Sequence, residues 1–248
     1  LTALDGFTIQ NGYTTGYGGG AYLQHNMSLS NCRFVNNESR GSGGGLYFNG
    51  SNNSDTIRGC SFENNIARSS GGGGYINYAS IDNCLIVNNT SSYSGGGLYA
   101  SNSTITNCVI MGNSTTSYNN YNYSSSGGGG LYVSSSTVTA CRITDNTAYY
   151  YGGGIYASSS AISNTELLNN ISRQNGGGVY ASSGSVLSCR ISYNQASYSA
   201  GGIRISGTQV RNCLVSNNTA GRTSSGYVGG GIQGTGTIVN TTIVRNSA

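Results

Sequence analysis

The chain has 248 residues, of which 41 are glycine and only 7% are charged, with no proline and no tryptophan. Its net charge of +4 comes from scattered arginines without a single lysine; no basic cluster exists to neutralise successive phosphates, which argues against a nucleic-acid partner. No apolar run approaches the ~20 residues of a transmembrane helix, and the chain opens on Leu1 with no signal peptide visible, as expected of a processed product or an excised portion.

In chain order, the first unit is Leu4, Phe7, Ile9 and Gly12, with steps of three, two and three residues. The same steps return in Leu29-Cys32-Phe34-Asn37 and in Ile57-Cys60-Phe62-Asn65. They continue through Ile81-Cys84-Ile86-Asn89, Ile105-Cys108-Ile110-Asn113 and Val138-Cys141-Ile143-Asn146. The last four units are Ile162-Thr165-Leu167-Asn170, Val186-Cys189-Ile191-Asn194, Val210-Cys213-Val215-Asn218 and Ile238-Thr241-Ile243-Asn246. Most are preceded by three glycines, an aliphatic residue and a tyrosine, as in Gly95-Gly96-Gly97-Leu98-Tyr99, and the commonest repeat is 24 residues.

A fixed period of this length means a solenoid, propeller or array. Short alternating runs broken by Gly, Asn and Ser are a strand signal, and no segment carries a helical apolar stripe. Propeller blades need about 40–50 residues, and the Leu and Asn spacing of leucine-rich repeats is absent. The reading is all-β: a single right-handed parallel β-helix (solenoid) over 1–248, with about ten coils of roughly 24 residues and three short strands per coil. At about 4.8 Å per coil the rod would be roughly 45–50 Å long.

The columns then acquire roles. Stacked Asn amides at a turn can pair with one another. Seven cysteines in one inward column point the same way, so they are expected to be buried free thiols used as small apolar residues. The glycine triplets are expected to serve tight bending and close approach, since no phosphate-loop Lys follows them. An outward tyrosine ladder is expected from Tyr22, Tyr47, Tyr99, Tyr132, Tyr156 and Tyr180, interrupted by Ile76. Such a ladder would stabilise cross-strand pairing, with a sugar-stacking or adhesive strip as the functional alternative. Insertions fall between Asn113 and Gly130, between Asn218 and Gly231, and between Gly45 and Ile57. Asn122, on the first of them, is the best of many Asn-x-Ser/Thr sites for glycosylation. Leu85, Val87, Val109 and Met111 should form an outward apolar patch on two adjacent coils. It is expected either to be covered by the 114–126 loop or to form a contact between copies.

The glycine motif, alternating with Phe34-x-x-Asn37 and Phe62-x-x-Asn65, resembles the tetrapeptide repeats of chlamydial polymorphic outer-membrane proteins. The chain is similar more broadly to bacterial right-handed parallel β-helix repeat proteins. That resemblance covers the whole chain and implies a secreted or surface-exposed rod, often adhesive. One departure is the Gly that replaces the Ala typical of the third motif position, and no autotransporter-type barrel is expected to follow.

Catalytic chemistry is not expected. Carbohydrate-cleaving β-helices need paired or clustered acids, whereas Asp5, Glu38, Asp55, Glu63, Asp82, Asp145 and Glu166 share no site in the aligned columns. Asp82 faces Arg58, and Glu166 lies between Arg142 and Arg190, as surface ion pairs would. His25 is isolated, and no cofactor or metal is implied. The expected function is therefore a non-catalytic extracellular or cell-surface structural solenoid. Both terminal coils lack caps, so self-association head to tail into a filament is expected. The alternative is a glycan- or host-binding adhesin module from a longer surface protein, and a polysaccharide lyase or hydrolase is the least favoured reading.

Overall fold

Three- and four-residue alternations of inward apolar and outward polar side chains are long enough only for short strands. The polypeptide is a succession of them. The computed structural model describes residues 2–51, 55–116, 126–221 and 228–248. One representative coil contains Leu98–Ser101, Thr104–Thr106, Val109–Met111 and Ser114–Thr115. Each strand pairs in parallel with its counterparts in the coils before and after. The first two strands share one 15-stranded sheet, and the others build sheets of ten and nine strands. In later coils the two pieces of the first sheet fuse into one nine-residue strand, as in Ile155–Ser163 and Val179–Leu187. The result is an all-β parallel β-solenoid of about nine turns with three sheets. The ten registers read from the sequence appear as the ten strands of the second sheet, with nine coil-to-coil steps between them, in agreement with the expected architecture.

Between strands the chain bends on single residues in the left-handed region. In the representative coil these are Gly95, Asn102, Asn107 and Gly112, with φ of 64°, 50°, 53° and 66°. Asn is frequent at these places because its short amide makes that conformation tolerable. Tighter still is the approach of the glycine triplets: a Cβ on Gly96 would lie 2.3 Å from the carbonyl oxygen of Gly129 in the next coil.

The interior is a set of stacked columns. Ile81, Ile105 and Val138 are paired neighbours, as are Ile86, Ile110 and Ile143, and all are fully buried. Phe34 and Phe62 stack with ring centroids 5.0 Å apart. At the Asn turn, Asn89 Nδ2 donates to Asn113 Oδ1 at 3.0 Å, and Asn113 Nδ2 donates to Asn146 Oδ1 at 3.0 Å. The same link runs coil to coil from Asn37 to Asn246.

Two sequence expectations change here. Tyr75, not Ile76, stands between Tyr47 and Tyr99, so the tyrosine column is unbroken. The run Gly71–Gly74 contains one glycine more than the motif; Gly71 takes the left-handed bend and Gly74 fills the aliphatic position, leaving Ile76 buried. The cysteines are free and buried, but they are not simply apolar filler. Cys84 Sγ donates to Asp82 O at 3.3 Å, and Cys108 Sγ accepts from Cys84 N at 3.4 Å. Thr165 does the same work, donating to Ser163 O at 2.8 Å and accepting from Cys141 N at 3.3 Å. The column therefore selects a small side chain that can both donate and accept beside a left-handed bend.

All seven thiols are at most 4% exposed, so a reagent reaches one only when the coils around it open. Thiol reagents act on thiolates. Titration of the native protein should find almost no reactive thiol, and denaturation should release all seven. Rapid native reaction would contradict the buried column.

Candidate functional site: the tyrosine strip and the apolar face

The residues singled out from sequence fall on two different faces. Tyr22, Tyr47, Tyr75, Tyr99, Tyr132, Tyr156 and Tyr180 form one continuous stack on the first sheet. Successive centroids are 5.0, 5.0, 4.5, 4.7, 4.8 and 5.1 Å apart, with rings within 7° of parallel. Tyr17 and Tyr151 lean on the stack at Tyr47 and Tyr180, and neither was evident from sequence because both lie in the glycine-rich corners. The packing has a chemical consequence. Inside the stack each ring face is covered by its neighbours, so the strip presents ring edges and hydroxyl groups to solvent. A sugar-stacking platform needs open faces; this one offers a row of hydrogen-bonding phenols.

Burial first, and then the neighbouring phenols, push Tyr47, Tyr75, Tyr99, Tyr132 and Tyr156 above the ordinary value of 10.0. The folded state thus holds these protons more tightly than the unfolded chain does. Their contribution to stability is complete below pH 10 and is lost as pH rises from there through the folded values. Absorbance titration should show a group of tyrosines ionising late, and the melting temperature should fall above pH 10. A single titration at the ordinary value would remove the stack.

The acids provide the other electrostatic feature. Asp5 accepts from Ser30 Oγ at 2.8 Å and Asn31 Nδ2 at 2.9 Å, which holds its carboxyl below the usual range. Asp82 is lowered in the same manner by Asn107 and Thr106, and then by Arg58 at 3.2 Å. Glu38 pairs with Arg68 at 3.0 Å, Glu63 with Arg33 at 3.3 Å, and Glu166 with Arg190 at 3.2 Å. The fully buried Asp55 accepts from Met27 N at 2.9 Å and Ser51 N at 3.3 Å. Each of these carboxylates ties its own coil to a neighbouring one. Asp145 occupies a left-handed bend, φ 58°, just before Asn146. No group of three metal-ligating side chains occurs among the described residues.

Leu85, Val87, Val109 and Met111 come together on the second sheet, where Leu85 pairs with Val109 and Val87 with Met111. Leu85, Val109 and Met111 are 40%, 38% and 39% exposed, and Val87 is half-buried. Asn122 and most of the 114–126 loop lie outside the described residues. Among the described residues, no helix is long and apolar enough to cross a membrane.

Fold and surfaces together define a parallel β-solenoid repeat protein. Two segments, 83–101 and 140–158, match the model of the Chlamydia polymorphic membrane protein repeat, a surface-exposed outer-membrane family. Both segments run from the left-handed residue before a cysteine, Asn83 or Ala140, into the tyrosine-bearing strand of the next coil, to Ser101 at the end of Leu98–Ser101 and to Ser158 within Ile155–Ser163. A comparison with curated proteins finds no match to the chain.

Proposed function

We propose that this chain is a non-catalytic structural rod of a cell-surface protein. The observation that carries the reading is the use of the acids. Six of the seven carboxylates are engaged in ties between adjacent coils, and the seventh sits in a turn. None is paired with another acid across a cleft, as glycoside hydrolysis needs. Repeats matching a surface-exposed outer-membrane family support the location. Stacking of copies end to end belongs to the same proposal. Every coil offers its neighbour the same backbone ladder and the same columns, so any coil edge is a template for another. The catalytic part is tested by reducing-end and viscosity assays on neutral and acidic polysaccharides. No turnover is expected; turnover abolished by Glu166→Gln or Asp82→Asn would refute it.

A second reading, binding of glycans or a host surface, is supported by the row of phenol hydroxyls. It predicts that Tyr99→Phe with Tyr132→Phe, which keeps the stack and removes two hydroxyls, weakens retention on a glycan array. Unchanged retention would exclude the strip as the ligand face.

A further inference from the structure

We propose that the outer face of the second sheet is a self-association surface that takes a second copy of this chain, antiparallel to the first. This goes beyond the structural-rod reading and does not depend on it.

The argument rests on the order of side chains along one face. The parallel register fixes that order: Arg33, Ser61, Leu85, Val109, Arg142, Glu166 and Arg190 occupy one outward column, one residue per coil. Val35, Glu63, Val87, Met111 and Thr144 form the adjacent column. The apolar residues fill the two central coils, and charged residues flank them on both sides.

A twofold axis along the strand direction, placed between those two coils, brings each level onto its mirror level in the partner. Leu85 then meets Val109 of the second copy, and Val87 meets Met111. One level further out, Glu63 reaches Arg142 on the diagonal. At the next level Arg33 meets Glu166 head on. From the centre outwards the signs run minus, plus on one side and plus, minus on the other. From Arg33 to Glu166 every charged level therefore meets its opposite, and Arg190, one level further out, faces the level of the uncharged Thr8. A parallel arrangement fails this condition, because it sets Glu63 beside Glu63, Arg142 beside Arg142 and Glu166 beside Glu166. Like charges so placed repel and disfavour that partner geometry.

The side chains are available for such a contact. Arg33 and Glu166 keep 56% and 41% of their side chains exposed even within their own ion pairs. Arg142 is exposed and makes no ion pair among the described residues. The face covers six coils, roughly 30 Å along the rod and about 10 Å along the strands. That is at the small end of specific interfaces, below about 1,200 Å² in total, so the dimer should be reversible and concentration-dependent. Copies anchored by the same end on one surface run parallel. An antiparallel contact would thus join copies that project from facing surfaces.

Sedimentation equilibrium of the full chain, up to about 1 mM, tests this. A monomer–dimer equilibrium is expected. Arg33→Glu and Glu166→Arg should each weaken it by about tenfold, and the double variant should return close to the parent. Within one chain these two residues are five coil steps apart, about 24 Å, so mutual rescue reports contact between copies. Val109→Arg should abolish the dimer while circular dichroism and melting temperature stay unchanged. A parent chain that is monomeric throughout, a double variant no better than either single, or a dimer that survives Val109→Arg would each overturn the proposal.

Discussion

Asn89→Ala should destabilise the rod by about 3–6 kcal/mol, seen as a fall in melting temperature of about 10 °C or more. The Asn89 side chain is fully buried and uses its whole hydrogen-bonding capacity. Its Nδ2 donates to Phe62 O at 2.8 Å and Asn113 Oδ1 at 3.0 Å. Its Oδ1 accepts from Asn65 N at 2.9 Å and Asn65 Nδ2 at 3.0 Å. Truncation strands several buried partners at once, and each unsatisfied group costs about 1–3 kcal/mol. The turn it holds belongs to three consecutive coils, and solenoid stability is a sum over nearest neighbours. Ser101→Ala, on the outward face, should stay within about 0.5 kcal/mol. Equal losses in the two variants would mean that the amide column contributes nothing.

Gly96→Ala should be comparably damaging, at about 3 kcal/mol or more. The new methyl would meet Gly129 O at 2.3 Å, Ser114 O at 2.4 Å and Ser114 C at 2.5 Å, all of them backbone. A flexible side chain could move aside, but these atoms cannot. Gly96 N is bonded to Gly128 O at 3.0 Å, so coil spacing is fixed where the methyl would need room. Gly16→Ala is the control. Its nearest contact would be Thr14 Oγ1 at 3.7 Å, an ordinary van der Waals distance, and its melting temperature should match the parent. If Gly96→Ala melts with the parent as well, the triplets are not there for close approach.

The sequence made the columns legible because two constraints act on each of them. The period sets the register, and only inward positions repeat an aliphatic side chain; Leu4 through Ile238 and Ile9 through Ile243 accordingly pair as the spacing implies. Tyr75 was hidden because a run of four glycines has no internal mark of which three form the corner. The hydrogen-bonding role of the cysteines was hidden by a residue type that reads as apolar, although Thr165 and Thr241 in the same column were the available signal. The buried Asp55 follows the insertion after Gly45, where counting from the motif loses its place. It stands at the position held by Ser103 and Ser136 in later coils, whose hydroxyls also accept a backbone N–H from the coil before. That the ring faces of the tyrosine strip are covered was not legible at all, because the ring planes depend on how successive phenols pack rather than on their spacing.

Electron microscopy of the purified chain tests the structural-rod account most directly. The account predicts straight rods of constant width, whose lengths fall at multiples of about 48 Å, ten steps of about 4.8 Å counting the one across each junction, as copies stack end to end. Compact particles without a long axis, or aggregates of irregular width, would contradict it.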